Sequence, residues 1–191
     1  MNPALYDVDD LISREQIERY LVPLREANEA FAITCYAIPN KIGPVALLKQ
    51  RYPWISFGIH GWEHAPFECL GWSYEKTFEV MQRALDMGFD KLFKPPNWCS
   101  TDWVEEACEK LGLVLHHHDN YTPKHPGLRH YHAALSVMPR HTPVHTHITY
   151  SPVTDFIETH PGFTTAAVKT FDEFWTPDRC AIEVADLGGL K

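Results

Sequence analysis

The strongest constraint on how this chain can fold is its alternation of short apolar runs with stretches of helical period. Residues 4–8 read as a strand. Ser13 precedes Gln16 at capping-box spacing, and a helix pattern follows to about Asn28. Residues 31–38 (FAITCYAI) form a buried strand, residues 45–50 a short helix, and Ile55–Ile59 (ISFGI) a third strand. Residues 74–87 carry Phe78, Met81 and Leu85 on one helical face. A short strand at 91–93, a helix over Asp102–Leu111 capped by Ser100 or Thr101, and a strand at 113–115 follow. Strands that alternate with helices through short loops imply a parallel α/β sheet, either doubly wound or closed into a barrel. After Asp119 the pattern loosens. Residues 120–131, rich in Pro, His and Gly, read as a long loop, 144–150 as a strand, 166–175 as a helix and 181–185 as a last strand.

No polar linker interrupts the pattern, so residues 1–191 are expected to form one domain, a size that permits a substantial core. Composition narrows the class. The hydrophobic fraction is 45% and the charged fraction 22%, values that oppose disorder. A formal net charge of −8 excludes nucleic acid as a partner, because phosphate binding needs a basic surface. No apolar run is long enough to span a bilayer. The N-terminus lacks the basic and apolar stretches of a secretory signal, so a cytoplasmic location is expected. Oligomeric state is left open. Five cysteines, with no pair at C-x-x-C spacing, suggest neither a disulfide framework nor a zinc knuckle. Twelve histidines in an acidic chain raise the case for metal or acid–base chemistry.

The polar residues converge on one place. Asp9-Asp10 follows the first strand, His60-Gly61-Trp62-Glu63-His64 the third, and Lys94-Pro95-Pro96-Asn97-Trp98 the fourth. His116-His117-His118-Asp119 follows the fifth, and His145-Thr146-His147 lies on a late strand. Ligands of parallel α/β folds sit at the carboxyl ends of the strands, so these segments share one rim. Side-chain alternation would send Asp9 and Asp10 in different directions, one toward a metal and one toward a reacting water. Taken alone, the pair fits an acidic cluster at a helix N-terminus better than a catalytic pair. His60 and His64 are four apart, and a strand end followed by a Gly-containing loop can bring both onto one ion. Two neutral imidazoles and one carboxylate suit zinc or a similar first-row ion. The Pro95-Pro96 turn is stiff enough to fix Lys94 near a carboxylate. His145 and His147 alternate on one strand face, where one can serve as a general acid.

Taken in order, Asp-Asp, H-x-x-x-H, a basic residue before Pro-Pro and a late histidine, the chain resembles the polysaccharide deacetylases, the carbohydrate esterases of NodB homology. That resemblance implies a single-domain distorted (β/α) barrel and a metal-dependent amide hydrolase that removes N-acetyl groups from an amino sugar or polysaccharide. By the same resemblance Asp9 is the catalytic base, and Asp10, His60 and His64 are the metal ligands. Lys94 stands where the family carries the arginine that holds the base, and Leu11 where it carries a glycine. His147 is the acid, with His145 as second choice, and Pro96, Trp98, Trp62 and Asp119 are pocket residues. The implied cofactor is a divalent metal, zinc first, with Co²⁺, Ni²⁺ and Fe²⁺ served by the same donors. The partner is a carbohydrate or small N-acetylated substrate. Two alternatives stand beside this: hydrolysis of another small C–N substrate, a cyclic imide or ureide, on the same fold, and a carbohydrate-binding relative that has lost activity.

Overall fold

The computed structural model describes residues 5–27, 29, 32–118, 121–133 and 144–147. Their strands are β1 (Leu5–Leu11), β2 (Ile33–Ala37), β3 (Ile55–Ile59), β4 (Leu92–Phe93), β5 (Val114–His118), β6 (His130–Ala133) and β7 (Val144–His147). The α-helices are α1 (Arg14–Gln16), α2 (Val22–Ala27), α3 (Pro39–Ile42), α4 (Ala46–Arg51), α5 (Tyr74–Asp86) and α6 (Asp102–Leu111). A π-helical turn, Ile17–Leu21, joins α1 to α2 and buries Ile17 and Leu21. Ser13 caps α1 by accepting from the Gln16 N–H at 3.3 Å. Gln16 Oε1 reaches back to the Ile12 N–H at 2.7 Å, one residue before the cap itself.

Seven parallel strands lie in the order β6-β5-β4-β3-β2-β1-β7. From β1 to β6 each new strand is added on the same side. Right-handed crossovers then place every connecting helix on one face of the sheet. The opposite face must curl around its own side chains, and β7 returns to pair with β1. This is a barrel rather than a doubly wound sheet. Among the described residues no ladder joins β6 to β7, so the barrel has a seam there.

The two faces separate by the period of two that strands impose. Ile33, Cys35, Ala37, Phe57, Ile59, Phe93 and Leu115 join Met81, Ala84, Val104 and Ala107 of α5 and α6 in the main core. Tyr36, Leu92 and Val114 form a second cluster on the inner face. Gly58 makes room for it, since a Cβ there would stand 2.6 Å from the Tyr36 ring. Continued to the strand ends, the inner positions are Asp9, His60, Lys94 and His116. The strand period thus carries polar side chains from several strands into one space.

Several elements differ from expectation. β1 runs on to Leu11, because Leu11 pairs with Ala37 and its carbonyl accepts from the Ile38 N–H at 3.0 Å. β5 continues through His118, held between β4 and β6. The expected loop over 120–131 ends at His130, where the ladder with β5 turns a polar run into β6. The expected strand at 144–150 is described as Val144–His147. The helix expected at 166–175 and the strand at 181–185 lie outside the described residues.

Candidate active site

Asp9 and Asp10 sit within β1, not after it. The ladder slips between Val8 and Leu11, and Asp10 adopts a left-handed φ of 64°. A bulge of this kind re-aims a side chain, and it overrides the alternation expected of neighbours. Asp9 Oδ2 lies 3.8 Å from His60 Nε2, and Asp10 Oδ1 lies 3.7 Å from the same nitrogen. Both carboxylates therefore face one imidazole, a correction to the expectation that they diverge.

His60 is buried, and its Nδ1 donates to the Lys94 carbonyl at 2.8 Å. That bond fixes the tautomer and turns the Nε2 lone pair toward the aspartates. Burial pushes the His60 pKa down to about 4; the Lys94 cation acts in the same direction and Asp9 against it. The ring is neutral at pH 7, as a ligand must be. His64 Nε2 stands 3.2 Å from Asp10 Oδ1, and the two imidazole centroids are 4.7 Å apart. Donor atoms of Asp10, His60 and His64 all lie within 4.8 Å of one another. Among the described residues His60 Nε2 is buried without a hydrogen-bond partner. A buried acceptor left so is costly, and a cation shared with Asp10 and His64 would satisfy it. The three residues fit a divalent ion in donor type and spacing.

Beside this group lies a buried ion pair. Lys94 Nζ donates to Asp9 Oδ1 at 2.9 Å, with Lys94 1% and Asp9 2% exposed. The ammonium also lies 5.0 Å from the Tyr36 ring centroid and 4.5 Å from that of Trp98. Two ring faces and one carboxylate thus stabilise the cation. The Pro95-Pro96 turn that places it is followed by Asn97 and Trp98 at φ of 56° and 55°. With Asp10 and His64 (φ 60°), that makes four left-handed non-glycine residues around one site. Such strain persists where surrounding structure over-determines it.

The remaining sequence candidates fall as follows. Trp98 is partly buried and edge-on to His116 at 5.4 Å. Trp62 is partly buried with the Arg83 guanidinium over its ring at 4.5 Å. Pro96 is buried against the space beside Gly61. Register pairs His147 with Asp9 and His145 with Asp7. Asp119 lies outside the described residues. His116 and His117 are both buried; His117 stacks on Tyr121 and its Nε2 lies 3.3 Å from Ser100 Oγ.

Sequence reasoning missed Tyr36, Glu68 and the demand on Gly61. Tyr36 was detectable in retrospect from its inner parity on β2. Gly61 has φ of 64°, and a Cβ there would collide with Glu68 Oε2 and come within 2.6 Å of Pro96. Gly61→Ala is expected to destabilise the protein by about 1–3 kcal/mol, the usual cost of overpacking, before any added backbone strain. Urea denaturation with an unchanged m-value measures it.

No protein-family model matches the sequence, and neither does any curated protein. Solved structures match it closely in shape. The family 4 carbohydrate esterase from Streptomyces lividans, solved with acetate, superposes with a TM-score of 0.61 at 13% identity, over 88% of this chain and 91% of that one. The family 4 acetyl xylan esterase from Clostridium thermocellum, solved with a cobalt ion, gives 0.55 at 15% identity, over 98% and 84%. The chain has the fold of the family 4 carbohydrate esterases. A pseudoenzyme of this CE4 family, from Bacillus anthracis, also shares the fold, with a TM-score of 0.57 at 12% identity over 90% and 64%. The CE4 fold is the distorted barrel that the order of motifs implied. Its strand ends here carry the Asp10–His60–His64 group and the Asp9–Lys94 pair. Among the described residues no helix is long and apolar enough to cross a membrane.

Proposed function

We propose that this chain is a metal-dependent hydrolase that removes N-acetyl groups from an amino sugar or polysaccharide, with residues 1–191 as one catalytic domain. The observation that carries the reading is the convergence of Asp10, His60 and His64 next to a buried Asp9–Lys94 ion pair. The cobalt ion reported with the Clostridium thermocellum esterase supports a divalent metal, and the donor set favours zinc. Asp10, His60 and His64 would hold it. A divalent ion there supplies Lewis acidity to an acyl carbonyl and lowers the pKa of water.

The chain's own residues do the rest. Lys94 occupies Asp9 Oδ1, which leaves Oδ2 on the ligand side to accept a proton from attacking water. Hydrolysis of an amide also requires a proton on the departing nitrogen. His147 is assigned that task on the support of its register beside Asp9, with His145, two residues earlier on β7 and opposite Asp7, as second choice. Trp98, Trp62, Pro96 and Asp119 are assigned to the pocket.

Metal-free protein titrated calorimetrically with Zn²⁺ is expected to bind one ion, and Asp10→Ala or His64→Ala to abolish binding. Acetate release from N-acetylglucosamine oligomers and from small N-acetyl compounds, compared side by side, reads the substrate class. Failure of the wild-type protein to bind Zn²⁺ or Co²⁺ would overturn the proposal. A pseudoenzyme of the same fold motivates a second reading, a carbohydrate-binding protein without turnover. Metal uptake and sugar binding with no acetate released would favour it.

A further inference from the structure

His60 and His64 are held in different ways. His60 is fixed through its ring, by the bond from Nδ1 to the Lys94 carbonyl. Among the described residues no hydrogen bond fixes His64 Nδ1, and the residue is partly exposed. Apart from the contact of its Nε2 with Asp10 and of its ring with His60, its aim depends on its backbone, which stands in the left-handed region at φ of 60°.

That backbone is gathered by one carboxylate. Glu68 accepts from the His64 N–H at 3.0 Å, the Glu63 N–H at 2.9 Å and the Trp62 N–H at 3.1 and 3.2 Å to its two oxygens. Three successive amides therefore point at one anion, the concave arrangement that favours negative charge. Glu68 occupies the space that the missing side chain of Gly61 leaves. Its own position is fixed from two sides. Its N–H donates to the Ala65 carbonyl at 3.1 Å, and the preceding Phe67 N–H donates to Asn97 Oδ1 at 3.2 Å, tying the loop to the turn after Lys94.

We propose that Glu68 is a positioning residue that presets His64 for metal capture, an inference that rests on the metal-site reading above. Glu68 is not itself a member of the Asp10–His60–His64 donor group. A carboxylate is required because three N–H donors need acceptors on both oxygens. A glutamine would present its NH₂ group to at least one of them.

The test titrates Co²⁺ into metal-free wild type, Glu68→Gln, Glu68→Asp and Met81→Ala, reading Kd and the visible absorption of the bound ion, with Tm measured for each. Met81 is a buried core residue on α5 and reports what loss of stability alone does to affinity. Glu68→Gln is expected to weaken Co²⁺ binding about 10–100-fold and to change the absorption band, the usual effect of removing a group that orients a ligand. Glu68→Asp keeps the charge and should fall between it and wild type. Met81→Ala should lower Tm and leave Kd within about twofold. A Glu68→Gln protein with wild-type Kd and spectrum would overturn the inference, as would an equal loss of affinity in Met81→Ala. Should Glu68→Gln fail to fold, an unchanged Kd in Glu68→Asp overturns it instead. Absence of Co²⁺ binding by the wild type is a different result: it removes the metal-site reading itself, and the inference with it.

Discussion

Replacing Lys94 with methionine is expected to lower the unfolding free energy of the metal-free protein by about 3–5 kcal/mol, the cost of stranding one half of a buried ion pair. Methionine fills much of the same space and keeps contact with Tyr36 and Trp98, so the packing term is small. What is lost is the charge that Asp9 faces at 2.9 Å, in a position only 2% exposed. The double variant Asp9→Asn/Lys94→Met should recover a large part of the loss, because two neutral side chains leave no stranded ion. Guanidinium denaturation of the four proteins of this cycle makes the measurement. A single-variant cost under about 1 kcal/mol would mean that Asp9 and Lys94 behave as a solvated surface pair, contrary to their burial.

On the proposed function, Asp9→Asn is expected to reduce acetate release about 10²–10⁴-fold, the range for loss of a general base, while Zn²⁺ affinity stays nearly unchanged. The amide keeps the shape of the side chain and removes its proton affinity. Asp10, His60 and His64, whose donor atoms form the candidate metal group, are untouched. Asparagine also leaves Lys94 without its anion, so stability must be followed separately and turnover measured well below the variant's Tm. Retention of most of the wild-type activity by folded, metal-loaded Asp9→Asn would remove Asp9 from the role of base. Loss of metal along with activity would make Asp9 a ligand instead.

Much of the barrel was legible because its signals are local. Ile55–Ile59 appears with its expected bounds, as does α6. α5, expected over 74–87, ends one residue early, at Asp86. In each case apolar spacing agrees with the burial the fold requires, and in α5 the Ser73 side chain also caps the helix by accepting from the Lys76 N–H, whereas Thr101 precedes α6 without a side-chain capping bond. The carboxyl-end rule also places Asp9, Asp10, His60, His64 and Lys94 on one rim. The rule could not say that Asp10 would be re-aimed. A bulge comes from how β1 registers with β2 and β7, and no residue in Val8-Asp9-Asp10-Leu11 announces a left-handed φ. β6 was hidden for a similar reason: His130-Tyr131-His132-Ala133 is polar enough to read as loop, and only its ladder with β5 makes it a strand.

By itself, then, the sequence determined most of the alternation of strands and helices, β6 excepted, the parallel sheet and the set of chemical groups at its rim. Those follow from periodicity and spacing, which act over a few residues. Tertiary structure alone decided which carboxylate meets which imidazole, that Lys94 lies between two aromatic rings, and that Glu68 gathers the loop carrying His64. Each of these is a contact between segments set by strand register and by loop strain. Neither quantity is written in any short stretch of chain.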